Sequence, residues 1–141
     1  MALALEQAKA AARGEVPIGA VVTQGDKVVA SAGNRTRELA DPTAHAEMLA
    51  IREACRALVS ERLAGCDLYV TLEPCTMCAG AISFARLRRL YFGAADDKGG
   101  AVTSGVRFFA QPTCHHVPDV YAGLGEVESA TMLRTFFGSR R

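Results

Sequence analysis

No apolar run in this chain is long enough to cross a membrane as a helix. Its longest charge-free stretch is Pro74–Ala85, whereas a span needs about 20 residues. Charge of one sign is missing too: 16 basic against 15 acidic side chains leave a formal net charge of +1. Bulk charge therefore gives no pull towards nucleic acid, and such a partner would need a local patch. The N-terminus lacks the unbroken apolar core of a secretory signal, because Glu6, Lys9 and Arg13 interrupt its alanines and leucines. Without that signal, and with an odd count of 5 cysteines, a disulfide scaffold is a poor reading. Reduced thiols or a metal site in the cytoplasm fit better. Repeats, low-complexity tracts and Pro/Ser-rich linkers are also absent. What remains is 141 residues, half of them hydrophobic and 22% charged. That is material for one globular domain, residues 1–141, with enough core to fold without cross-links.

Periodicity and turn chemistry divide the chain into elements. Ala2–Arg13 reads as a helix stopped near Gly14, and Pro17–Thr23 as a buried strand. Gln24-Gly25-Asp26 turns the chain back into Lys27–Ala32, making a hairpin. Ala44–Val59 is helical, with Asp41-Pro42-Thr43 as start signals and Asp41 or Thr43 as the expected cap. Asp67–Leu72 and Arg88–Gly93 are strands flanking a helix over Thr76–Ala85. Asp96–Gly105 is a glycine-rich loop, and Glu126–Phe137 a last helix. Strands alternating with helices after a hairpin imply an α/β fold, a mixed sheet with helices on both faces.

Two short motifs about thirty residues apart carry the chemistry. The first is His45-Ala46-Glu47 at a helix start, and the second Pro74-Cys75-Thr76-Met77-Cys78 at a strand-to-helix junction. Alone, a Cys-x-x-Cys can be a redox pair or two core thiols, and a His-x-Glu means almost nothing. Together and in this order they match the H-x-E…P-C-x-x-C signature of zinc deaminases. One imidazole and two thiolates are preferred zinc ligands, and three protein ligands leave the fourth position open, as catalytic zinc sites do. Cys75 and Cys78, three apart on a first helical turn, share a face and gain thiolate character from the helix N-terminus. Residues two apart point away from each other inside a helix, so His45 and Glu47 can serve one pocket only at a helix tip. The motifs thus predict two helix N-termini converging on one zinc ion. Glu47 is left as the proton shuttle, outside the ligand set.

With those residues in place, the chain resembles the cytidine/deoxycytidylate deaminase superfamily. Within it the resemblance is greatest to bacterial tRNA-specific adenosine deaminases, which convert adenosine to inosine at the wobble position of an anticodon. The likeness runs through Glu15-Val16-Pro17-Ile18-Gly19-Ala20-Val21, Gly33-Asn34-Arg35, Asp41–Glu47 and Thr71–Ile82. It continues in Tyr91-Phe92-Gly93-Ala94 and Phe136-Phe137. It implies a three-layer α/β/α cytidine deaminase-like fold with a mixed five-stranded sheet, and a homodimer. It implies zinc on His45, Cys75 and Cys78, proton transfer by Glu47, a substrate contact from Asn34, and a tRNA anticodon loop as substrate. On residues alone, Asn34 reads better as a turn residue after Gly33, and it is the resemblance that raises its substrate role. Two stretches depart from the family pattern, Cys114-His115-His116 and Arg107-Phe108-Phe109. Both fall where the family shapes its nucleic-acid groove.

Other chemical residues read as structure. Cys114-His115-His116 is expected to be a surface or lid segment, because adjacent residues chelate one ion poorly. Cys55 fits a core thiol, Cys66 a turn, and Arg86, Arg88 and Arg89 a solvated or dimer-facing cluster. Lys98 beside Gly99-Gly100 could approach a phosphate, and Arg134, Arg140 and Arg141 suit a helix C-terminus. Three functions compete: tRNA adenosine deaminase, a zinc deaminase of a free base or nucleoside (guanine, cytosine or cytidine), and a zinc-bearing binding module without activity. The presence of Glu47 weighs against the last.

Overall fold

Cross-strand pairs of apolar side chains set the core. The computed structural model describes residues 1–138. In it, strands β1 (Gly19–Gln24), β3 (Cys66–Leu72) and β4 (Arg89–Ala94) lie side by side. Their register places Ala20 opposite Val70 and Phe92, and Val22 opposite Leu68 and Leu90. All six are buried. Helices α2 (Ala46–Leu58) and α3 (Thr76–Phe84) close over this face through Ala46, Ala50, Ile51, Ala54 and Ile82.

On the opposite face lie α1 (Ala2–Ala11) and α4 (Glu126–Gly138). Here the sheet presents glycine. Gly19 pairs with Gly33 of β2 (Lys27–Gly33), and a Cβ on either would run into the α1 backbone at Ala4 or Gln7. The helix can lie this close only because both positions lack a side chain.

The sheet order is β2-β1-β3-β4-β5. β1 runs antiparallel to both its neighbours, whereas β3, β4 and β5 (Asp119–Ala122) are mutually parallel. The expected mixed five-stranded sheet between two helical layers is therefore present. Local sequence does not reveal β5: it is four residues long with an exposed–intermediate–exposed–exposed pattern, so no apolar alternation marks it. Cys66, expected in a turn, is the fully buried first residue of β3.

A second side-chain row crosses the parallel strands. Tyr69, Tyr91 and Tyr121 occupy matching register positions and stack, with ring centroids 4.5 and 5.0 Å apart. They are all the tyrosines the chain has, and it has no tryptophan. None of the helices among the described residues is long and apolar enough to cross a membrane.

Candidate metal and substrate site

Parallel strands place loops and helix starts at their C-terminal ends, the usual location of sites in α/β sheets. β3 ends at Leu72, and Glu73-Pro74 carry the chain into α3, whose N-cap is Cys75. α2 starts nearby with His45 as N-cap. Both caps have extended backbone and make no side-chain capping bond, so imidazole and thiol are free to turn towards each other. His45 Nδ1 lies 3.7 Å from Cys75 Sγ and 3.5 Å from Cys78 Sγ. The ligand atoms of the three residues fall within 4.8 Å of one another, and together they could hold a metal ion. The predicted convergence of two helix tips is what the structure shows.

Protons are shared unevenly in this cluster. The hydrogen bond from Cys78 holds the Cys75 thiol down at about 4, against the opposing effect of burial and with help from His45. The same contact, together with burial, pushes Cys78 up. His45 is raised, first by its hydrogen bond with Cys75.

Glu47 sits on the first turn of α2 and is 3% exposed. Burial pushes its carboxyl above the ordinary carboxylate range, with its own backbone N–H and His45 pulling the other way. Its Oε1 is buried and has no hydrogen-bond partner among the described residues. A buried acceptor left unpaired costs about 1–3 kcal/mol. A carboxylate oxygen kept in that state marks a place for a water or a substrate proton.

Asn34 closes the other side. The start of α2 is not capped by Asp41 or Thr43 as expected. Asp41 Oδ1 instead accepts the Thr43 N–H and hydroxyl at 2.8 and 2.7 Å. The orphan N–H of Ala46 is donated to Asn34 Oδ1 at 2.8 Å, across 12 residues of sequence. Asn34 is 7% exposed and borders a cleft of about 790 Å³ beside His45. With Oδ1 committed to the helix, its Nδ2 amide is the part left for the cleft. The turn-residue reading of Asn34 gives way to a residue that caps α2 and faces the cavity.

Apart from Lys98, which the sequence offered as a phosphate contact, the cleft walls come from residues to which sequence reasoning gave no role in the site. Ile18 and Leu72 line one side, Ala95–Lys98 another, and Leu133 and Phe137 of α4 a third. Lys98 and Arg134 are the cations on this rim. Arg140 and Arg141 lie outside the described residues.

Two buried carboxylates fasten the loops around the cleft. Glu15 accepts the backbone N–H groups of Arg37 and Glu38 at 3.1 and 2.9 Å and the Thr36 hydroxyl at 3.2 Å. Glu73 accepts five donors from the segment 96–104. A carboxylate just before a proline, at the end of an apolar strand, was the available signal for Glu73.

The departing segment Cys114-His115-His116 lies away from the cleft lining. His116 Nε2 contacts the Leu87 carbonyl at 2.6 Å, and Ser83 Oγ donates to the His116 carbonyl at 2.8 Å. The segment is pinned to α3 and the start of β4. Among the described residues the His45–Cys75–Cys78 group is the one found able to hold a metal. Arg88 makes a two-bond ion pair with Asp67, at 3.0 and 2.8 Å. Arg86 donates to the His115 carbonyl at 3.1 Å. Cys55 packs against the core as expected.

Fold and cluster together define an α/β/α protein of the deaminase class, with a group able to hold a metal ion. The chain belongs to the MafB19-like deaminase family, whose model matches residues 1–141. It is 68% identical over 142 residues to a tRNA-specific adenosine deaminase of Agrobacterium fabrum (strain C58 / ATCC 33970), covering 100% of this chain and 93% of that one. A solved structure from biochemical and structural studies of A-to-I editing by tRNA:A34 deaminases at the wobble position of transfer RNA superposes with a TM-score of 0.93. It shares 69% identity over 94% of this chain and 97% of its own. More distant is a guanine deaminase from Nitrosomonas europaea, 25% identical with a TM-score of 0.76 over 96% of this chain and 81% of that chain.

Proposed function

We propose that this chain hydrolyses adenosine to inosine at wobble position 34 of tRNA, with ammonia as the second product. The observation that carries the chemistry is the unpaired buried Oε1 of Glu47 beside three metal-ligand side chains. Support for the substrate comes from the A. fabrum relative, 68% identical, against 25% for the guanine deaminase. The wider reading is that residues 1–141 act as one catalytic domain.

The ion we assign to His45, Cys75 and Cys78 is zinc. One imidazole nitrogen and two thiolate sulfurs are a preferred zinc donor set, drawn together around a tetrahedral ion. The observed 3.5 and 3.7 Å fit that geometry. Zinc bound there would supply an activated water, its pKa lowered from ~15.7 to roughly 7. The protein's own residues do the rest. Glu47 takes the first proton from the attacking water and passes it to N1 of the ring, then takes the second from the new C6 hydroxyl and passes it to the departing amine. The C6–N bond breaks, a C6–O bond forms, and the sum is adenosine plus water to inosine plus ammonia. Asn34 Nδ2 donates to the nucleoside and fixes its orientation. The target base leaves its stack to enter the cleft, a step that an anticodon loop permits at small cost.

We propose further that the enzyme works as a homodimer in the cytoplasm. Phe84 of α3 is 79% exposed, an apolar surface suited to a second copy.

An anticodon stem-loop with adenosine at position 34, assayed beside a panel of free bases and nucleosides, tests this reading. Inosine in the stem-loop, read by mass and lost in Glu47→Ala, is the expected result. Turnover confined to the small-molecule panel overturns the tRNA assignment.

A further inference from the structure

We propose that Glu73 is a positioning residue: its carboxylate strings the substrate wall of the cleft to the strand end that carries Cys75, so that base placement is set independently of metal binding. This rests on the tRNA reading above for the choice of substrate.

Glu73 is 2% exposed, yet both its oxygens are fully engaged. Oε2 accepts the successive N–H groups of Val102, Thr103 and Ser104, each at 3.0 Å. Oε1 accepts the Asp96 N–H and the Ser104 hydroxyl, also at 3.0 Å. Three consecutive amides converging on one point form an anion-binding nest. Here the anion is a side chain of the protein itself.

The two ends of the loop are therefore held by one carboxylate, Oε1 joining Asp96 to the Ser104 hydroxyl and Oε2 gathering the amides of residues 102–104. Between them, Asp96, Asp97 and Lys98 form the cleft wall facing His45. Gly100 passes so close that an added Cβ would lie 2.6 Å from Glu73 Oε2. The backbone adds two clips, from Ala101 N–H to the Pro74 carbonyl at 2.9 Å and from Glu73 N–H to the Ala94 carbonyl at 2.8 Å. Wall and metal-ligand junction thus share one anchor, while the side chains of His45, Cys75 and Cys78 contact each other and not Glu73.

A glutamine cannot replace this carboxylate. It carries one acceptor oxygen, and its NH₂ would face donors at whichever end it occupied. Loosening should therefore appear in the wall and in substrate binding, with the metal cluster intact.

The test uses the zinc-loaded full chain as wild type, Glu73→Gln and Ser104→Ala. Three quantities are measured: metal per chain, kcat and KM on the anticodon stem-loop, and the rate of trypsin cleavage after Lys98, mapped by mass. In Glu73→Gln we expect one metal per chain, kcat within about threefold, and KM and Lys98 cleavage each raised about tenfold or more. Ser104→Ala, which removes one donor of the five, should shift KM and cleavage in the same direction by a smaller factor. It decides the matter if Glu73→Gln fails to fold. Unchanged Lys98 cleavage, unchanged KM, or lost metal overturns the proposal. If the wild type leaves the stem-loop untouched, the tRNA reading fails, and Lys98 cleavage alone then decides whether Glu73 holds the wall.

Discussion

Asn34 shows how one side chain can serve stability and binding through different atoms. Its Oδ1 caps α2, the residue borders the cleft, and its Nδ2 is the proposed substrate donor, so two substitutions separate the roles. Asn34→Ala strands the Ala46 N–H, and we expect a loss of about 1–3 kcal/mol in urea unfolding together with weakened substrate binding. Asn34→Asp keeps an acceptor at a helix N-terminus, where negative charge is favoured, but removes the Nδ2 donor. Near wild-type stability with a raised KM is expected; equal KM in Asp and wild type would remove Asn34 from the substrate site. The three side chains able to hold a metal, and Glu47 beside them, were legible because their chemistry is written in local spacing. The capping role of Asn34 was not, because its partner stands 12 residues away and becomes adjacent only after β2 turns back to α2. Glu73 was hidden for the same reason: four of its five donors lie 29–31 residues on.

Elements with strong periodicity or a clear turn were readable to within two or three residues. The Gly25-Asp26 hairpin and α3 with its cysteine N-cap are examples. β5 was not, since an edge strand of four residues buries too little to pattern its sequence; Val120 alone packs on the core. α2 ends in a way that sequence reasoning also passed over. Val59, its C-cap, has φ 49° and ψ 49° and is 90% exposed. Left-handed backbone costs an L-residue about 1–2 kcal/mol, and glycine escapes that cost. Val59→Gly removes almost no packing, so unfolding measurements should show a gain of about 1 kcal/mol. A loss of stability would mean that the Val59 side chain makes contacts in solution that the isolated chain lacks.

At the scale of the whole molecule, the two loop-holding carboxylates couple folding to pH. Burial pushes Glu73 up, but hydrogen bonds from Asp96, Val102 and Ser104 outweigh it and hold the group below its ordinary value of 4.5. Glu15 is lowered against its own burial by the donors at Arg37, Glu38 and Thr36. A carboxylate with a depressed folded pKa stabilises fully above its unfolded value, and that contribution is lost as pH falls through the folded one. Tm should therefore be flat with respect to these groups near neutrality and fall below about pH 4.5. In Glu73→Gln the acid limb should be shallower; an identical limb would mean that Glu73 does not titrate with unfolding. Assembly is the other whole-molecule property. Phe84→Asp places a charge on the proposed dimer face, and sedimentation should show a monomer for this variant against a dimer expected for the wild type. The tyrosine stack has an optical consequence. Lacking tryptophan and with its three tyrosines in one row, the protein emits its intrinsic ultraviolet fluorescence from a single patch across β3, β4 and β5. That signal reports the docking of the edge strand and nothing of the cleft, so an unfolding curve followed by emission tracks one corner of the sheet.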